Sequence, residues 1–206
     1  MKLKYYIDTN KGITFIVILL LMAFYHRWQN GTAWVYLALH GTYGILWVLK
    51  SRLFPDRNWE KKVSPWFGLV SWLALVLYWI PGWMVVAWDV QAPAWLLAVC
   101  ISAYTFGAFF VFSADMQKFV SLQLNPGTLV TEGMMSLSRN INYFGELLIY
   151  LSFALLALNP WAFLPLMAFI VTFWIPNMVR KDRSLALLPG FADYKKKTKS
   201  FFPFLF

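Results

Sequence analysis

Ser138-Arg139-Asn140-Ile141-Asn142-Tyr143-Phe144-Gly145-Glu146 runs directly into the apolar stretch from Leu147 to Leu158. Reading this junction decides the fold. Nine residues hold an arginine, two asparagines, a tyrosine and a glutamate at the mouth of what reads as a membrane span, where polar groups are costly unless they are partnered. Working outward, the same alternation of long apolar runs and short polar joints recurs along the whole chain. Of its 206 residues, 60% are apolar and 13% charged. That balance lies well outside the range of soluble domains and predicts an integral membrane protein.

The runs are Ile13 to Tyr25, Thr32 to Leu49, Trp66 to Trp88, Ala94 to Ser113, about Asn142 to Asn159, and Trp161 to Val179. Each is near the roughly twenty residues that cross a bilayer as a helix. The spacing therefore predicts an all-α, polytopic bundle of about six transmembrane helices. Pro81-Gly82 is expected to break or kink the third, and Asn125-Pro126-Gly127 to form a turn after the fourth. The first run is read as a span and not as a cleaved leader, because no small-residue cleavage site follows it. Twelve Trp and ten Tyr fit a chain with two membrane interfaces.

Charge then orients the bundle. Three Lys lie in residues 1–12, five Lys or Arg in 50–65, two in 114–141 and seven in the tail, which leaves Arg27 alone on the opposite side. An even number of spans with this asymmetry predicts both termini in the cytoplasm. The net charge of +9 is thus spread along membrane flanks and not gathered in one soluble module, which argues against nucleic acid as a partner. The single Cys100 excludes a disulfide framework and a zinc cluster. No Gly-rich phosphate loop, His-Glu-x-x-His or Gly-x-Ser-x-Gly is present, so soluble nucleotide folds, zinc hydrolases and serine hydrolases are excluded. We expect one membrane domain over 1–206, with four spans in 1–113 and two spans plus a basic tail in 114–206. No metal site is expected.

The polar groups available for chemistry fall mostly in the second half. Asp115, Gln117, Lys118, Asn125, Arg139, Asn140, Asn142, Tyr143 and Glu146, with Arg180, Lys181, Arg183, Tyr194 and Lys195 from the tail, are candidates for a pocket at the cytoplasmic surface. On a helix, Arg139, Asn142 and Glu146 would share a face. Several cations near a helix start suit an anionic nucleotide better than a neutral metabolite. Two readings stand for Arg139 and Glu146, ligand contact or capping at a span end. Taken alone, the Lys195 to Lys199 run reads as a positive-inside anchor to anionic lipid more than as a binding site. In the second span, His40 and Tyr43 are either proton donors or groups satisfied within the bundle, and Tyr78 in the third carries the same two readings.

Asn142-Tyr143-Phe144-Gly145-Glu146 resembles the signature of the C-terminal domain of steroid 5-alpha-reductases and their bacterial relatives, a group also similar to sterol C14-reductases and isoprenylcysteine carboxyl methyltransferases. Ala114 to Phe119 upstream, and Pro189 to Lys195 followed by Phe201-Phe202-Pro203-Phe204, are similar to the family's flanking segments. The resemblance covers about the last hundred residues. It implies an NADPH pocket facing the cytoplasm, with Asp115, Asn142, Tyr143, Glu146 and Tyr194 at matching positions. Lys118, Arg139, Arg180 and Arg183 are looser candidates for the cofactor's phosphates. The implied reaction is hydride transfer to a carbon–carbon double bond of a lipid-soluble substrate, with His40 or Tyr43 as donor to its carbonyl. Asp8, Asp56, Glu60 and Asp89, the acidic residues of the first half, are expected in loops or tails. Two alternatives remain on the sequence: an S-adenosylmethionine-dependent methyltransferase acting on a prenylcysteine carboxylate or a phospholipid amine, and a non-catalytic membrane scaffold. The expected location is a bacterial inner membrane or the endoplasmic reticulum.

Overall fold

A computed structural model describes residues 1–203, so Phe204 of the closing motif lies outside the described residues. Helices form where apolar runs were expected, and no β-strand occurs among the described residues. In chain order they are α1 Leu3–Phe24, α2 Gly31–Leu53, α3 Pro65–Ala87, α4 Ala94–Leu124, the one-turn α5 Met134–Leu137, α6 Ile141–Leu156, α7 Pro160–Leu185 and α8 Phe191–Lys197. Five of them, α1, α2, α3, α4 and α7, are long and apolar enough to cross a membrane. The run at 142–159 is the exception. Its helix α6 has 16 residues, about 24 Å, short of a hydrocarbon core of about 30 Å. It stops because the backbone turns at Leu158, whose φ is +48°, and Asn159 caps the next turn by accepting from the Trp161 N–H at 2.9 Å.

Two helices are longer than their apolar runs. α1 begins at Leu3, ten residues before the run at Ile13, so Asp8 and Lys11 are helical residues and not part of a polar lead. Its buried face is Ile7, Lys11, Thr14, Ile18 and Met22, the spacing of one stripe on a helix. α4 continues to Leu124, because residues 114–124 contain good helix formers and no Gly or Pro before Asn125-Pro126-Gly127. There Gly127 takes φ +79° and Thr128 bonds back to the Asn125 carbonyl, the geometry of a type II turn. In α3, Pro81 removes one backbone donor, and the helix tightens to a 3₁₀ turn over Leu77–Trp79 just before it. In α7 a π turn spans Ile170–Trp174, next to Pro176.

The chain divides into two compact units, Met1–Tyr104 with Tyr150–Leu166, and Thr105–Ile149 with Met167 onward. In the first unit α1 packs on α2 and α3. The approach of α1 to α2 is backbone on backbone: a Cβ on Gly44 would stand 2.1 Å from the Lys11 carbonyl oxygen. The turn before α2 is tied to the one after α3 by Asn30, whose side chain accepts from the Ala33 N–H at 2.8 Å and donates to Asp89 at 2.8 Å.

Lys2 and Lys4 both pair with Glu60 at 2.5 Å, and the Leu3 and Lys4 amides donate to the Lys61 and Trp59 carbonyls. Hydrogen bonds from the lysines hold the Glu60 carboxyl below its ordinary 4.5, and the same carboxylate raises Lys2 above 10.5. The carboxylate's contribution is complete above pH 4.5 and disappears as pH falls through its lower folded value. The Lys2 contribution is complete below 10.5 and disappears as pH rises through its higher folded value. We therefore expect amide exchange at Leu3 and Lys4 to accelerate only below pH 4.5 and above pH 10.5, relative to the intrinsic rate, as read by hydrogen–deuterium exchange.

The second unit is organised around Ala114, Met135, Ile141, Phe191 and Tyr194. Here α4 and α6 meet at Gly107 and Gly145, and a Cβ on either would sit 2.6 Å from the other's carbonyl oxygen. Small residues at a helix crossing permit this approach. The Gly145→Ala variant is expected to lose about 2 kcal/mol by overpacking, seen as a lower melting temperature in detergent.

Candidate functional site

The first unit carries a buried polar group that the sequence reading passed over. Lys11 is 5% exposed, and its Nζ donates to the Tyr150 hydroxyl at 2.5 Å. Around that ammonium stand the rings of Tyr43 and Trp47, each centred 4.6 Å away, with Tyr150 at 5.1 Å and Tyr78 at 5.7 Å. Each distance is within cation–π range. Tyr78 and Tyr150 stack on one another at 4.0 Å. Four helices thus enclose one cation: α1 supplies it, α2 gives Tyr43 and Trp47, α3 gives Tyr78 and α6 gives Tyr150.

His40 lies in the same unit, in a π turn of α2 over Leu37–Gly41, a local widening that recurs at functional positions. Its Nδ1 lies 3.0 Å from the Tyr36 hydroxyl, and its ring stacks on Phe153 at 4.3 Å. Tyr36 fits because position 82 is glycine; a Cβ there would stand 2.4 Å from the Tyr36 ring. Tyr104, also packed against Phe153, buries a hydroxyl with no hydrogen-bond partner. The arrangement is a set of phenols, an imidazole and an ammonium inside an apolar bundle, able to donate protons and to stabilise a developing oxyanion. Asp8 is helical and near these residues in sequence, and its Oδ2 accepts from Ser51 at 2.7 Å.

The second unit brings the two motif segments together. Ser138, Arg139 and Asn140 precede α6 and grip the end of the chain: the Ser138 hydroxyl donates to the Phe201 carbonyl at 2.9 Å, Asn140 Nδ2 to the Ser200 carbonyl at 2.8 Å, and Arg139 Nη1 to the Thr198 carbonyl at 2.6 Å. Arg139 also pairs with Asp182 at 3.1 Å. Lys181 donates to the Arg139 carbonyl at 2.5 Å and interacts electrostatically with Asp115, Lys118 and Asp182. Phe144 packs between Phe110, Phe201 and Phe202.

No family model matches the chain, and no curated protein matches its sequence.

The expected cofactor residues divide by surroundings. Because α6 starts at Ile141, Arg139 does not share its face with Asn142 and Glu146, which do lie four apart on the helix and are half-buried. Tyr143 packs against Trp174 at 5.5 Å. Asp115 and Lys118 occupy the last turns of α4, half-buried, and Gln117 beside them clamps the following loop through Glu132 and Met134. Tyr194 is buried and donates to the Met135 carbonyl at 2.7 Å; burial pushes its phenol up to about 12, so it remains a donor at any physiological pH. Arg180 is exposed and bonds Asn177, and Arg183 is exposed. Of the first-half candidates, His40 and Tyr43 both belong to the buried aromatic group. Lys11, Tyr36 and Tyr150 were missed. The usable signal was the stripe Ile7, Lys11, Thr14, Ile18, which puts a lysine on the packing face of α1.

Proposed function

We propose that the protein is an NADPH-dependent membrane reductase that saturates a carbon–carbon double bond conjugated to a carbonyl in a lipid-soluble substrate. The observation that carries the reading is the Lys11–Tyr150 pair enclosed by aromatic rings. Reducing such a double bond moves negative charge onto the carbonyl oxygen. Preorganised donors in a water-poor site stabilise that charge far better than water does. Tyr150, whose oxygen accepts from the Lys11 ammonium, is the group that hands a proton to the substrate oxygen, with Lys11 stabilising the phenolate left behind. Tyr36 orients His40, and Tyr43 forms one wall of the cage. Methyl transfer to a carboxylate or amine needs a bare nucleophile and gains nothing from a buried acid, which favours the reductase over the methyltransferase.

NADPH, when bound, supplies the hydride. The donor set of the second unit suits its phosphates: Lys118 on α4 and Lys181 and Arg180 on α7 are cations, and the buried Asn140 Oδ1, which lacks a hydrogen-bond partner, is an acceptor for an amide or ribose hydroxyl. The resemblance of residues 142–146 supports the same assignment for Asn142, Tyr143 and Glu146. The Lys and Arg asymmetry supports a cytoplasmic position for this half and, with α6 taken as a short sixth crossing, for both termini, in a bacterial inner membrane or the endoplasmic reticulum. The test is thermal stabilisation of detergent-purified protein by NADPH, NADH and S-adenosylmethionine, where a ligand at a hundred times its Kd adds about 2.7 kcal/mol. Stabilisation by NADPH, followed by oxidation of NADPH in the presence of a lipophilic enone, is expected. A response to S-adenosylmethionine and not to NADPH overturns the reading.

A further inference from the structure

A groove of 450 Å³ opens in the second unit between α7 and α8. Its α7 wall is one helical stripe: Ile175, Met178 and Val179, then Asp182 and Arg183. Phe191 and Lys195, one turn apart on α8, form the other wall. Polarity therefore changes along the groove. Ile175 and Val179 are exposed apolar residues on a helix long and apolar enough to cross a membrane, and Arg183 lies about 12 Å beyond Ile175 and about 6 Å beyond Val179 along its axis. Asp182 also lines the groove, but its carboxylate is engaged by Arg139 at 3.1 Å. Arg183 and Lys195 supply the remaining charge, and Lys196, Lys197 and Lys199 nearby are exposed.

An apolar floor that ends in two cations matches an amphiphile with a negative head. We propose that this groove binds one anionic phospholipid, its phosphate between Arg183 and Lys195 and its upper acyl chain along Ile175, Met178 and Val179. A dinucleotide is the poorer fit, since its ribose and phosphate groups would lie against an apolar stripe. The proposal assigns Arg183 to lipid and makes no use of Lys118, Lys181 or Arg180. It does not depend on the reductase reading.

Detergent-purified protein titrated with phosphatidylglycerol, phosphatidylcholine, inorganic phosphate or NADPH separates the possible ligands, with binding read by native mass spectrometry and melting temperature. Phosphatidylglycerol is expected to bind as one retained molecule and to raise the melting temperature, with phosphatidylcholine and phosphate giving no comparable shift. Replacing both exposed cations, Arg183→Gln with Lys195→Gln, is expected to weaken that binding at least about tenfold, since each basic group near an anionic headgroup contributes on the order of a fivefold factor. Val179→Trp, which fills the apolar end, is expected to weaken it while the melting temperature without lipid is retained. Equal binding of phosphatidylcholine, an equal shift with phosphate alone, displacement of the lipid by NADPH, or unchanged binding in the double variant overturns the proposal.

Discussion

The Lys11→Met variant is expected to fold and to retain its melting temperature, yet to reduce an enone at least about a hundredfold more slowly, the loss typical of removing one preorganised oxyanion donor. The two outcomes separate because the terms that set stability oppose each other. Removing the ammonium gives up a charged hydrogen bond to Tyr150, worth about 1.5–3 kcal/mol, and the attraction of the surrounding rings, about 2 kcal/mol when desolvated. It also relieves the desolvation penalty of a buried cation, several kcal/mol. Methionine nearly conserves volume and makes favourable contacts with aromatic edges. The net change is expected to lie within about 2 kcal/mol of zero. Chemistry has no such compensation, because the thioether cannot stabilise a phenolate. Tyr150→Phe should reproduce the loss of rate. A variant that loses stability and rate together would make Lys11 a structural residue, and one that retains rate would remove the cage from the mechanism. Thermal denaturation and NADPH oxidation, measured on the same preparation, give both readouts.

The elements of the fold were legible because a membrane imposes length and apolarity on each crossing helix, and the runs beginning at Thr32, Trp66, Ala94 and Trp161 all became helices near those positions. Helix ends were less legible. At α1 and α4 the polar residues Asp8, Lys11, Asp115 and Lys118 mark the end of the apolar stretch but not the end of the helix, since nothing in them breaks backbone hydrogen bonding. At 142–159 the opposite occurred: apolar residues continued while the helix ended at Leu156. The site was legible where one helix determines it, as for Asn142 and Glu146. It was not where several helices converge. The four rings around Lys11 come from α2, α3 and α6, and no local spacing connects them. Arg139 was misplaced for a local reason, because extending helical spacing back from Asn142 to Arg139 put it on a face that begins only at Ile141.

That arginine gives the second large effect. Asp182→Ala is expected to destabilise the second unit by about 3 kcal/mol, because removing one partner leaves a buried guanidinium without its counter-charge. The Arg139 side chain is 6% exposed and that of Asp182 22%, so the estimate sits at the low end of the range for buried pairs. The loss should be local first. Arg139 holds the Thr198 carbonyl at 2.6 Å, and its own amide donates to the Lys199 carbonyl at 2.9 Å. These bonds, with those of Ser138 and Asn140, fasten residues 198–201. Turning the guanidinium toward water would release the Thr198 carbonyl and expose the lysines of α8 to protease. Trypsin is therefore expected to cleave within Lys195–Lys199 several times faster in Asp182→Ala than in the parent, before any general loss of helix by circular dichroism. Asp182→Glu, which keeps the charge on a longer arm, should restore most of the protection. If Asp182→Ala is cut no faster than the parent, the ion pair does not hold the tail. Arg139 would then be available for an anionic ligand, as the charge pattern of the sequence first suggested.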